Sequence, residues 1–176
     1  MKKGFTMIEL IFVIVILGIL ASVAIPRLAG TRTDAEVSAL AGNIRTLISD
    51  VASYYAVKGD FTGAKWKDIT NVPLQIKKGV PITASEAATA DAHLGADGVN
   101  CIAIRVANKT TTATGTVPAH ILFGKQKNNK KKGVCKEVLA ADAVKAFVEA
   151  QAEGVTTGNR IGDGAIVIGS STTIYQ

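Results

Sequence analysis

Three groups of side chains in this sequence are reactive enough to matter. The first is one acid. Glu9 is the only ionisable side chain in the run Phe5 to Ile25, which is otherwise almost wholly apolar. A carboxylate at mid-bilayer depth costs about 2.5–3.5 kcal/mol, less near an edge, so it calls for a partner. The second group is a cysteine pair, Cys101 and Cys135, with no CxxC spacing and no histidine nearby in sequence. That pattern is poor for zinc and suits a disulfide in an oxidising compartment. Closing a loop of about 35 residues contributes roughly 3–4 kcal/mol in the chain-entropy account. The third group is basic: Lys125, Lys127, Lys130, Lys131, Lys132 and Lys136. Such a run is ordinarily a solvated loop, and the sharper reading is an anion site for DNA or an acidic surface. No aromatic residue is interleaved to stack bases, which weakens a single-strand role.

Other motifs carry less. His93 and His120 lack a nearby acid and nucleophile in a recognisable set, so packing or surface roles suit them. Gly162-Asp163-Gly164 completes no dinucleotide fingerprint, has few carboxylates for calcium, and reads as a turn. Asn108-Lys109-Thr110 matches the N-glycosylation triplet, as many loops do. The expectation is no catalytic set, no metal and no cofactor.

The element that positions Glu9 is the stretch Met1 to Pro26. Lys2 and Lys3 precede the apolar run. At 1.5 Å per residue, a helix of this length reaches about 30 Å, the thickness of a bilayer core. Lysines at its start orient it with the rest of the chain outside the cytoplasm. Pro26 closes the run; its ring crowds the carbonyl of Ser22 and it donates no backbone hydrogen bond. A secretory signal also has a basic start, and Ser22-Val23-Ala24 fits a small-x-small cleavage site. Its apolar core is normally about 7–15 residues and carries no glutamate. A plain single-pass anchor fits the length but leaves Glu9 unexplained.

Gly4-Phe5-Thr6-Met7-Ile8-Glu9-Leu10 resembles the class III leader and cleavage site of type IV pilins and type II secretion pseudopilins. The resemblance is close over about the first thirty residues and architectural beyond them. It implies a leader, residues 1–4, removed after Gly4, and methylation of the new α-amine on Phe5. It implies assembly roles for Glu9 and Pro26, the glutamate offsetting the buried amine of an adjacent subunit. The implied partners are further copies of the chain, a prepilin peptidase and methylase, an inner-membrane platform with its ATPase, and the bilayer before assembly. The implied location is the inner membrane with a periplasmic head, then a filament. The function it points to is a structural, non-enzymatic subunit of a pilus or pseudopilus. Secretion or DNA-uptake pseudopilins are the near alternative, and a membrane-tethered DNA-binding module is the distant one.

Downstream, Val37, Leu40, Ile44, Leu47, Ile48, Val51 and Tyr55 recur at three and four residues, an amphipathic helical stripe. The stem helix is expected over 5–57, with 5–25 spanning the membrane, ending near Lys58-Gly59. Residues 58–176 make the head. Gly59 to Gly98 reads as a variable surface connection, with a turn or two of helix over Ser85–His93 capped by Ser85. Val99–Ala107 and Thr116–Gly124 read as strands of a hairpin, Pro118 delaying the second. Helical spacing follows over Lys136–Gln151, then a last strand at Ala165–Gly169. The fold class is α+β: a long N-terminal helix on a small antiparallel sheet, pilin-like. Net charge is +6, and +4 without Lys2 and Lys3, too modest for a dedicated nucleic-acid binder.

Overall fold

The computed structural model describes residues 5–77, 80–81, 87–96, 98–112, 115–126, 132–150 and 164–168. The helix α1 runs unbroken over Met7–Lys58, through the position of Pro26. By internal contacts the chain forms two compact units, Met1–Ala35 and Glu36–Gln176. In the first, every described side chain from Phe5 to Ile25 is exposed. α1 is long and apolar enough to cross a membrane.

The second unit is built on the stripe. Leu40, Ala41, Ile44, Leu47 and Val51 are buried, and Val37, Ile48 and Tyr55 pack beside them. Gly59 ends the helix: its φ is 79° and its N–H reaches the Tyr55 carbonyl at 2.8 Å. This is the left-handed cap that glycine adopts without steric cost. Phe61 then turns back onto the helix, its ring 6.2 Å from that of Tyr54 and 5.2 Å from that of Tyr55.

The stretch expected to be a surface connection alternates exposed residues with side chains that belong to the core, among them Phe61, Trp66, Ile69, Leu74 and Leu94. A short helix, α2 (Trp66–Ile69), buries Trp66, whose indole N–H donates to the Ala90 carbonyl at 3.2 Å. Strands β1 (Gln75–Lys77), β2 (Val80–Pro81) and β3 (Ala92–Ala96) follow. The helix expected over Ser85–His93 is not there where the residues are described. Ala92, Leu94 and Ala96 are buried in alternation with His93 and Gly95, the period of a strand. Pairing with the next strand overrides a locally helix-friendly alanine-rich composition.

That partner is β4 (Val99–Ala107), the centre of the head. The first six of its residues are all buried, so it reads as a nearly continuous apolar run. After it, β5 (Thr110–Thr112) and β6 (Gly115–Val117) form a separate two-stranded ribbon. Pro118 and Ala119 interrupt, and β7 (His120–Lys125) returns to pair with β4. The expected strand over Thr116–Gly124 is thus two strands in two sheets, because proline cannot donate to a ladder. The expected helix over Lys136–Gln151 is likewise two, α3 (Lys132–Ala140) and α4 (Asp142–Val148), broken at Ala141, whose ψ is 128°. β8 (Gly164–Val167) pairs with β7. The main sheet is antiparallel, in the order β2-β1-β3-β4-β7-β8. Ile102, Ile104, Val106, Ile121 and Phe123 share one core with the α1 stripe and with Val138, Val144 and Val148 of α3 and α4. This is an α+β, pilin-like arrangement.

The two glycines that differ most in surroundings give a direct test. A Cβ at Gly95 would run into the backbone carbonyl of Val99, whereas one at Gly42 would meet open space on the exposed side of α1. Gly95→Ala is expected to destabilise by about 1–3 kcal/mol, as overpacking does. Gly42→Ala is expected to stabilise by about 0.5–1 kcal/mol, by removing unfolded-state freedom. Thermal melts of the full chain in detergent measure both. A Gly95→Ala melt equal to the parent's contradicts the tight β3–β4 approach.

Candidate processing and assembly site

The site is built from the first turn of α1. Thr6 lies just before the helix, and its carbonyl accepts the first helical bond, from Leu10 N–H at 3.3 Å. Its side-chain oxygen accepts from Glu9 N–H at 3.4 Å. In return Glu9 Oε2 accepts from the Thr6 N–H at 2.8 Å and from the Thr6 hydroxyl at 2.7 Å. This is a capping box, the reciprocal arrangement that satisfies orphan donors at a helix start. The carboxylate also sits at the end where the helix dipole favours negative charge. Farther along, the Ser22 hydroxyl donates to the Ile19 carbonyl at 2.7 Å, so this polar group is satisfied within the helix. Phe5 is 86% exposed, leaving the candidate scissile region open at its mature side.

Residues 1–25 match the family model of the prokaryotic N-terminal methylation motif. The chain carries the class III prepilin-type signal of type IV pilins and pseudopilins. No solved structure matches the chain. The prepilin-type signal implies processing by a prepilin peptidase and assembly into a polymer. It and the apolar helix are consistent with anchoring in the inner membrane. Gly4 lies outside the described residues, and Pro26 is described only as helical backbone.

The other sequence-derived candidates scatter through the rest of the chain. Cys101 of β4 and Cys135 of α3 form a disulfide, with Cα atoms 5.2 Å apart across 34 positions of sequence. Both are buried, so the bond fastens α3 to the central strand from within the core. Of the six lysines, Lys127, Lys130 and Lys131 lie outside the described residues. Lys132 opens α3, Lys136 is exposed on it, and Lys125 ends β7. Lys125 Nζ lies 2.9 Å from Glu149 Oε1, so it is already paired within the chain. His93 and His120 stand on β3 and β7, on either side of β4. The His120 Nδ1 lies 2.8 Å from the Pro118 carbonyl, a local packing bond, and His93 Nδ1 has no hydrogen-bond partner among the described residues. Gly162-Asp163 lies outside the described residues; among those described, no three His, Cys, Asp or Glu gather to hold a metal.

Two contributors escaped the reading of the sequence. Thr6 was legible, since Thr6-Met7-Ile8-Glu9 is the capping-box pattern before an apolar run. Asn108 was not. Its Oδ1 accepts from Phe61 N–H at 2.6 Å and its Nδ2 donates to the Thr62 hydroxyl at 3.2 Å. The side chain therefore ties the end of β4 to the turn after α1.

The Lys125 hydrogen bond holds the Glu149 carboxyl below its usual value; desolvation opposes it, and the Lys125 and Lys145 charges add to the lowering. A lowered folded value means that the pair's contribution is present above the ordinary carboxylate range. It is lost as pH falls through the lowered value. The pair is exposed, so the contribution is small. Lys125→Gln should move the Glu149 midpoint up, towards that of a free glutamate, in an NMR titration. An unmoved midpoint contradicts the pair.

Proposed function

We propose that this chain is a structural subunit of a type IV pilus or pseudopilus, and that its head, residues 58–176, is periplasmic before assembly. The observation that carries the reading is the prepilin-type signal on a helix whose apolar side chains from Phe5 to Ile25 are all exposed. Exposed apolar surface of this extent in water is untenable. A bilayer satisfies it in the stored subunit, and packing against other copies satisfies it in a filament. On this reading a peptidase removes residues 1–4 after Gly4 and the Phe5 amine is methylated. An assembly ATPase then acts through a membrane platform.

Glu9 is the registration device in this scheme. Cleavage creates a positive α-amine at Phe5, and a neighbouring subunit's Glu9 is the acid placed at matching depth. In low dielectric the attraction is strong, and desolvation offsets much of it. The pair's main effect is therefore axial register rather than bulk stability. The reading as a membrane-tethered DNA-binding module has less support, because Lys125 is engaged by Glu149.

Glu9→Gln and Glu9→Val separate a polymerising subunit from an anchor. Both should leave the chain in the membrane fraction with its head folded, while filament yield collapses in a strain carrying only the variant. Glu9→Val makes a better anchor, so an anchor function would be kept or improved. Normal filaments from Glu9→Val contradict a registering role for Glu9.

A further inference from the structure

We propose that α3, α4 and β8 form one flap that opens from the rest of the head as a single piece, with the Cys101–Cys135 disulfide as its latch. Within the head, α3 lies over β3 and β4, and α4 over β7 and β8. The two helices are joined without slack. Ala141 N–H donates to the Glu137 carbonyl at 3.1 Å, and the Ala141 carbonyl accepts from Val144 N–H and Lys145 N–H, both at 2.9 Å. One residue thus ends α3 and starts α4. The far end of α4 is joined to β8 as closely. Ala165 N–H donates to the Ala150 carbonyl at 2.6 Å. A Cβ on Gly164 would run into the carbonyls of Val148 and Phe147. Strand and helix end therefore meet at backbone contact, a spacing that glycine permits, and displacing either disturbs the other.

This piece is tied to β4 and β7. The disulfide joins α3 to β4. Lys125, at the end of β7, pairs with Glu149 just beyond α4. β8 pairs with β7 over four positions, and Ile168 N–H donates to the Ala119 carbonyl at 2.7 Å. The ion pair is exposed and weak, and β8 is a short edge strand. The covalent bond limits how far α3 can leave β4, and the Ala141 joint and the Gly164 crossing pass that limit on to β8. Folded proteins open in such contiguous cooperative units at less than the global free energy. Opening this one uncovers the edge of β7, whose backbone groups then template pairing with another chain. The latch thus guards a strand edge that it does not touch. A dithiol undoes it by exchange: one thiolate attacks a cysteine sulfur to give a mixed disulfide, and the second displaces the remaining cysteine. The chain gains two thiols and the dithiol leaves as a disulfide. Both cysteines are buried, so the dithiol reaches them through opening of the flap.

The test is amide hydrogen exchange on the full chain in detergent, oxidised and after reduction with dithiothreitol. The Ala141, Glu149, Ala165 and Ile168 amides report the helix joint, the end of α4, the crossing and the end of β8. Reduction should speed all four by one common factor of about thirty or more, the low end of the usual disulfide contribution. The amides between β3 and β4 should keep their protection. In the oxidised chain, Gly164→Ala should likewise speed Ala165, Ile168 and Glu149 together. Reduction that speeds Ala141 alone overturns the proposal, because α3 then moves without β8. Reduction that strips the β3–β4 amides equally also overturns it, since the disulfide is then a staple for the whole head. Gly164→Ala that frees Ala165 and Ile168 while Glu149 stays protected overturns the coupling at the crossing, and so does loss of the β3–β4 amides in that variant.

Discussion

The constraint on which the rest depends is a carboxylate in a helix made for hydrocarbon. Glu9 stands among side chains that water does not tolerate in such numbers, yet it is the one group there that hydrocarbon does not tolerate. The capping box with Thr6 meets part of this demand within one chain. What remains is an acid with unspent acceptor capacity on an exposed apolar helix. That combination has little use in a lone anchor and an immediate use in a polymer, where the same contact recurs at every subunit.

The head answers a different requirement. Its core is one cluster in which the stripe of α1 meets the sheet, with α3 and α4 contributing Val138, Val144 and Val148. Three local fastenings hold its parts: the Cys101–Cys135 disulfide between β4 and α3, the Asn108 side chain between β4 and the turn after α1, and the Phe61 ring on Tyr54 and Tyr55. Each involves the central strand or the end of the helix.

How much of this was legible follows from the physics of each element. The apolar run, the helical stripe and the strand over Val99–Ala107 announce themselves by composition and period, because burial alone decides them. The segment from Gly59 to Gly98 did not. Its strands are short, and β3 is written largely in alanine, histidine and glycine, which have no strong strand preference of their own. Only the pairing with β4 makes it a strand. The Asp97-Gly98 dipeptide between the two was the available hint of a hairpin. At the site, Glu9 was conspicuous because its charge is out of place, and Thr6 was overlooked because a threonine before a helix looks ordinary. The Asn108 clasp joins positions 47 residues apart and left no local trace.

The most direct measurement is a density map of filaments recovered from cells that make this chain. The mature chain is expected to begin at Phe5, with its amine within hydrogen-bonding distance of the Glu9 carboxylate of an adjacent copy. A map in which Glu9 faces no amine of a neighbour, or filaments that lack this chain altogether, would contradict a registering pair between subunits.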